Sequence, residues 1–225
     1  MMLAFCLAAT VVLYCLNKVL YARHARIWTH PILLTPAMLA ALLLATGISL
    51  DEYTADTRLL LWFLGPATVA FAVPIYEYRR LIREQWLALA IGTLAGVAAA
   101  VGTSWGLAHL LHLSPEVTNS LLVRSVSTPF ALATADTVGG NADLAVMFVV
   151  FTGLAGMLMG EIVLAVMPRR SRMASGASYG AAAHALGTVR ARELSEEAGV
   201  MASLLMIFSG LVMVLVAPAL GHWLA

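Results

Sequence analysis

With 225 residues, 61% of them hydrophobic and only 11% charged, the chain has too little polar surface to cover a water-soluble fold, because soluble domains are roughly half apolar. A mean hydropathy of +0.90 and a formal net charge of +1 exclude a solvated module and a basic nucleic-acid binder.

In chain order, six apolar runs match the length needed to cross a hydrocarbon core about 30 Å thick: Leu3–Leu20, Ile32–Leu50, Leu59–Tyr76, Trp86–Leu111, Leu144–Met167 and Val200–Leu220. The expectation is one all-α, polytopic transmembrane domain over residues 1–225, with about six full spans. No basic n-region precedes the first run, and Lys18, Arg23 and Arg26 follow it, so a retained helix is expected rather than a cleaved signal. Both cysteines, Cys6 and Cys15, lie in that run without ligand spacing, which points to neither disulfide nor metal. No cofactor is implied, since HExxH and phosphate-binding glycine motifs are absent from the sequence.

The second run contains Thr35-Pro36, and the third contains Gly65-Pro66 with Thr68 beyond, then Pro74; each proline marks a potential helix break that could line a site or merely kink a span. Between these runs, the acidic stretch Asp51–Asp56 is expected to be an outward loop. Basic clusters at Lys18–Arg26, Arg79–Arg83 and Arg169–Arg172 mark the cytoplasmic side, which puts the N-terminus outside. Gly92 with Gly96, Gly102 with Gly106, and Gly156 with Gly160 are small-residue pairs expected to pack helices.

A full span over Thr118–Ala135 would deliver Arg169–Arg172 to the wrong side, so residues 118–141 are read as a broken or re-entrant segment turning near Ser127–Pro129. Pro129 favours a helix restart there, with Thr128 or Ser127 as cap. The helix start and the nearby Arg124 would together attract an anion inside the membrane. A snorkelling arginine beside a packing kink is the alternative. Asp136 and Asp143 flank Gly139-Gly140, a loop leading to the next span. Glu161 interrupts that span as a proton-coupling carboxylate, or reaches the interface, or pairs with Arg169.

A second broken element is expected near 174–190, where Gly176, Gly180, His184 and Thr188 recur every four residues. His184 could exchange a proton or donate to a substrate oxygen, or simply hold two helices together. Gly176-Ala177-Ser178-Tyr179-Gly180 matches the serine-hydrolase elbow formally, but no strand precedes it. Residues 65–70 resemble residues 128–133, which hints at inverted repeats around a central site.

Leu64-Gly65-Pro66-Ala67-Thr68-Val69-Ala70 with Pro74-Ile75-Tyr76, Ser125-Val126-Ser127-Thr128-Pro129, and Ala183-His184-Ala185-Leu186-Gly187-Thr188 occur in this order. In that combination the chain resembles the LrgB/CidB family, which includes the bacterial YohK-type proteins and the membrane domain of the plant plastidial glycolate/glycerate transporter. The resemblance implies a bacterial inner-membrane secondary transporter of small monocarboxylates such as glycolate, glycerate or pyruvate, often with a small LrgA/CidA-type membrane partner. A homodimer is expected by analogy with other carriers. The family is also described as holin-like or antiholin-like regulators of murein hydrolases, a second expected function. Arg124 stands where the family commonly has Lys, and Thr35-Pro36 where it usually has Asn-Pro. The segment Asn141-Ala142-Asp143 is more polar than the family's usual continuation. The expected substrate site comprises Arg124, Ser125, Ser127, Thr128, Pro129, His184, Gly187 and Thr188, lined by Thr35, Pro36, Gly65, Pro66 and Thr68.

Overall fold

The computed structural model describes residues 5–24, 29–166 and 171–224. Arg26, Pro168, Arg169 and Arg170 of the expected inward basic clusters lie outside the described residues. Helices account for the regular structure, with no strand among the described residues, so the chain is an all-α membrane bundle. It forms two compact units, Met1–Ala67 and Thr68–Ala225.

In the first unit, α1 (Phe5–Arg23) packs against α2 (Pro31–Thr46) and α3 (Leu50–Trp62). Polar groups on α1 find partners on its neighbours: Asn17 Nδ2 donates to Thr35 Oγ1 at 3.0 Å, and Thr10 Oγ1 lies 3.0 Å from the Tyr53 hydroxyl. Helix α2 continues through Pro36, so no break opens at Thr35-Pro36. The acidic stretch Asp51–Asp56 is not a loop. Ser49 and Glu52 form a reciprocal capping box that starts α3 just ahead of it, satisfying the first N–H groups of a helix.

Gly65 and Pro66 sit inside α4 (Leu64–Val69), followed by α5 (Ala72–Glu77). Pro74 has no N–H to offer Ala70, so the Val73 N–H reaches the Ala70 carbonyl at 3.1 Å and the path bends through a tighter turn. The stretch Leu50–Glu77 is nonetheless long and apolar enough to cross a membrane, as are Phe5–Arg23, Trp86–Leu110, Ala142–Val166 and Glu196–Trp223. With these five candidate spans, the chain is a multi-pass membrane protein. The shorter α2, 16 residues, is apolar throughout and spans about 24 Å at 1.5 Å per residue.

The second unit continues through α6 (Arg79–Glu84), α7 (Trp86–Leu110), α8 (Pro115–Leu122), α9 (Thr128–Ala135), α10 (Ala142–Val166), α11 (Arg172–Leu194) and α12 (Glu196–Leu224). Two of its elements are helical hairpins rather than spans. In the first, α8 enters, the chain turns over residues 123–127, and α9 returns. The return is fixed where residues 139–141 lie back beside residues 116–120. The Asn141 N–H donates to Ser120 Oγ at 2.8 Å, Asn119 Nδ2 to the Gly139 carbonyl at 3.3 Å, and Asn141 Nδ2 to Glu116 Oε1 at 3.1 Å. A Cβ on Gly140 would stand 2.8 Å from the Ser120 backbone nitrogen, so only glycine permits this closeness.

The second hairpin is α11, whose backbone leaves helical geometry at His184 (φ 46°, ψ −125°). In a straight helix, Gly187 would lie about 12 Å along the axis from Tyr179. Instead, a Cβ on Gly187 would overlap the Tyr179 carbonyl, because the two arms fold back on each other. The first arm runs along α10, with Gly160 against the Tyr179 ring and Gly156 against Ala182 and Ala183. It also lies on α12, with Gly176 against Ala198 and Gly180 against Ala202. The four-residue stripe is therefore real for Gly176 and Gly180 and ends at the reversal, after which Thr188 belongs to the other arm.

Helix α12 orders the two hairpins. Its first half carries Ala198 and Ala202 against α11, and farther along Gly210 meets the Phe130 ring of α9 and Gly221 the Thr137 carbonyl. The hairpins thus approach from opposite ends of one long helix. Impermeant maleimide should label cysteines at Asp136 and at Ser195 from opposite sides of the membrane, with Cys6 and Cys15 replaced by serine. Labelling of both from one side would disprove the opposed arrangement.

Gly180→Val should lower the melting temperature of the detergent-purified protein, because overpacking of a tight contact costs about 1 to 3 kcal/mol. Gly102→Ala is the control. Among the described residues nothing stands within 4 Å of a Cβ at Gly102 or Gly106, so that pair meets no helix there, against expectation.

Candidate functional site

The two hairpin tips meet. Each arm of the first hairpin has eight residues, about 12 Å at 1.5 Å per residue, well short of a full crossing. Its turn occurs where Ser127 takes extended backbone (φ −68°, ψ 152°) as the N-cap of α9, with Pro129 in the first turn. This is the restart that the Ser127-Thr128-Pro129 order calls for, since proline disfavours helical backbone before it and needs no N–H in a first turn. The Ser127 side chain makes no cap hydrogen bond, and its buried Oγ has no partner among the described residues.

Arg124 lies half-buried in the same turn. Its Nε–H donates to Ser104 Oγ of α7 at 2.8 Å, and Nη1 donates to Thr152 Oγ1 of α10 at 3.2 Å. Thr152 is the eleventh residue of the 25 in α10, about 15 Å from its start, and Ser104 lies about 9 Å before the end of α7, so the guanidinium sits within the length of two span-long helices rather than at their ends. No carboxylate forms an ion pair with Arg124 among the described residues. Two of its five N–H groups are engaged, both by neutral hydroxyls, which leaves Nη2 and the second Nη1 hydrogen for an occupant. An arginine at this depth costs roughly 2.5 to 3.5 kcal/mol on insertion scales, so a neutral setting calls for a compensating anion or water.

His184 forms the opposing tip. Its Nε2 lies 3.0 Å from the Arg124 carbonyl; the carbonyl can only accept, so His184 donates the proton. That bond satisfies a carbonyl orphaned where α8 ends. The Thr188 hydroxyl donates to the His184 carbonyl at 2.9 Å from one turn farther down the second arm. A non-glycine residue at φ 46° is strained by about 1 to 3 kcal/mol and persists only where its surroundings hold it.

The structure thus gathers Arg124, Ser125, Ser127, Thr128 and Pro129 on one tip and His184 on the other. Gly187 serves the fold of the second hairpin through its contact with the Tyr179 backbone. The Thr188 hydroxyl is occupied by the His184 carbonyl and lies 3.9 Å from Met206 Sδ. Thr35 and Pro36 belong to α2 of the first unit, where Thr35 is engaged by Asn17. Gly65, Pro66 and Thr68 lie in α4, which has no buried residue. Glu161 pairs with Arg190 of the second hairpin at 2.6 Å, and Arg190 also pairs with Glu193. Its suggested partner Arg169 lies outside the described residues.

Ser178 donates to the Ala174 carbonyl at 3.0 Å while His184 serves Arg124, so neither is directed at the other as a hydrolase pair. Among the described residues no group of three His, Cys, Asp or Glu side chains could hold a metal ion. Ser104 and Thr152 are site residues that sequence reading missed; a hydroxyl inside an apolar run is the one signal they carry.

A protein-family model described as LrgB-like matches residues 10–223. An uncharacterized protein, YwbG, of Bacillus subtilis is 34% identical over 94% of each chain. Antiholin-like protein LrgB of the same organism is 31% identical over 83% of each. Holin-like protein CidB of Staphylococcus aureus is 28% identical over 94% of this chain and 92% of its own. No solved structure matches.

Proposed function

This chain belongs to the LrgB-like family, and within it we propose that the protein is a carrier that binds small monocarboxylates between the two hairpin tips and moves them across the membrane. The observation that carries this reading is the half-buried Arg124 guanidinium, held by two neutral hydroxyls with donors to spare. A carboxylate would take the free fork of Arg124. The unpartnered Ser127 Oγ and the start of α9 supply further donors. Glycolate, glycerate and pyruvate fit this chemistry, each having a carboxylate with a hydroxyl or keto oxygen on the adjacent carbon. Discontinuous helices meeting near mid-membrane are a recurring way to build such a site and to expose it alternately to either side. Movement of the tips would break and remake the His184 bond to the Arg124 carbonyl. Proton coupling is assigned to His184 rather than Glu161, because Glu161 is already paired with Arg190. A homodimer and a small LrgA/CidA-type partner complete the proposal.

A second reading has its own support. The names of the relatives, antiholin-like LrgB and holin-like CidB, favour a regulator of murein hydrolase activity and lysis over monocarboxylate transport. A holin-like conduit needs no anion-selective pocket, and this separates the two. The test is uptake of labelled glycolate, pyruvate and lactate into proteoliposomes, with and without a pH gradient. Saturable uptake that discriminates among acids supports the carrier. Unsaturable leak that admits neutral dye equally supports the holin-like reading, and flux that appears only with the small partner supports a regulatory subunit.

A further inference from the structure

A cavity of about 580 Å³ opens at the end of the second unit that carries Trp223, between α7, α8 and α12. Its walls include Trp105, His109, His112, Thr118, Asn119 and Trp223, and among the described residues no Lys, Arg, Asp or Glu lines it. The Trp105 and Trp223 rings lie 5.5 Å apart between centroids, and the His109 ring lies 4.2 Å from Trp105. His109 Nδ1–H donates to the Trp105 carbonyl at 3.2 Å, which fixes the ring and leaves Nε2 as an acceptor for an occupant's hydroxyl. Convergent polar groups in a largely aromatic cleft of this size are the usual makings of a small-molecule site.

His112 supplies a second, independent observation. It has φ 51°, and among the described residues it shares positive φ outside glycine only with His184. Its N–H donates to the His109 carbonyl at 3.2 Å and the Leu113 N–H to the Ala108 carbonyl at 3.0 Å, so α7 ends in a Schellman cap. Glycine is the residue this position ordinarily takes, because its left-handed backbone strains any side chain. An imidazole held there against its backbone preference, at the rim of a cavity that another imidazole lines, points to a use for the side chain.

The cavity adjoins the Arg124 site through α7. Ala108 lines it, and one turn earlier on the same helix face Ser104 accepts from Arg124 Nε. We propose that this cavity is a hydrated antechamber, a second and weaker station for a small 2-hydroxy acid, where a His112 ring N–H donates to the carboxylate, His109 Nε2 accepts from the neighbouring hydroxyl and the paired indoles cover its apolar body. The role as an antechamber rests on the carrier reading above; binding in the cavity does not. A volume far larger than a two- or three-carbon acid leaves water around the occupant, so the station raises local anion concentration without holding it tightly.

The test uses the full chain in detergent, with tryptophan emission titrated by sodium lactate against sodium chloride at equal ionic strength, alongside lactate uptake in proteoliposomes. A saturable, lactate-specific change is expected that disappears in Trp105→Phe/Trp223→Phe and in His109→Gln/His112→Gln, yet survives in Arg124→Gln. The histidine double variant should raise the KM for uptake about three- to tenfold, with Vmax within about twofold, as loss of a concentrating station requires. His112→Gly relaxes the helix cap while removing the imidazole, so it should melt higher than the parent and still show the raised KM; misfolding cannot produce that pair. If saturable uptake is intact but emission does not respond to lactate, or responds equally in Trp105→Phe/Trp223→Phe or in the histidine double variant, the station is overturned and the carrier reading stands. If emission responds as expected but no saturable uptake appears, the carrier reading fails and the station stands.

Discussion

Arg124→Gln should reduce saturable carboxylate uptake by about a hundredfold while leaving the protein folded. Removing one member of a buried, hydrogen-bonded charge pair costs about 2 to 5 kcal/mol, and each 1.4 kcal/mol is tenfold in affinity. The fold should survive for two reasons. The bond between the tips uses the Arg124 carbonyl, which glutamine retains. The Ser104 and Thr152 hydroxyls, once released, can turn to carbonyls of their own helices. Arg124→Lys keeps the charge but not the planar fork, so uptake should fall by about tenfold only. Initial uptake rates over a range of lactate concentrations distinguish these outcomes. Wild-type saturation in Arg124→Gln, or an unsaturable leak in every variant, would remove Arg124 from the pathway and favour the holin-like reading.

The second large effect is expected at His184, where stability and flux can be separated. His184→Ala deletes the donor to the Arg124 carbonyl and leaves that group buried without its partner, a loss of about 1 to 3 kcal/mol. It also keeps a Cβ on a backbone at φ 46°. His184→Gly loses the same bond but relieves the strain, so it should be more stable than the alanine variant by roughly 1 kcal/mol. Melting temperatures in detergent should therefore run wild type, then glycine, then alanine. Uptake should fall by about tenfold or more in both, because a loosened tip misplaces the Arg124 turn and small misplacements at a binding centre cost that much. Equal melting of the two variants would show that the positive φ imposes no constraint. Wild-type uptake in both would show that the joined tips are not on the transport path.

The sequence carried much of the architecture because membrane residence imposes strong local rules. Length and apolarity mark the spans, since a helix must satisfy its backbone internally in lipid. The conflict between charge placement and a full span over Thr118–Ala135 exposed the first hairpin, and the Ser127-Thr128-Pro129 order located its restart. The density of small residues from Gly176 to Gly187 marked the second. Local reading failed where two local signals competed. The charges of Asp51–Asp56 spoke for a loop, but one of them, Glu52, closes a capping box with Ser49 and decides for a helix.

What the chain alone determined, then, is where helices can exist and where they must stop, because propensity, capping and proline sterics act within a few residues. What only the tertiary structure decided is which stops face each other. The reversal at His184, its bond to a carbonyl 60 residues away, the hydroxyls that receive Arg124 from α7 and α10, and the choice of Arg190 as partner for Glu161 all depend on contacts between distant helices. Small residues permit many close approaches, and the best packing of α10 and α12 against both hairpins selects one. That selection sets an arginine inside the bundle with no counter-ion among the described residues.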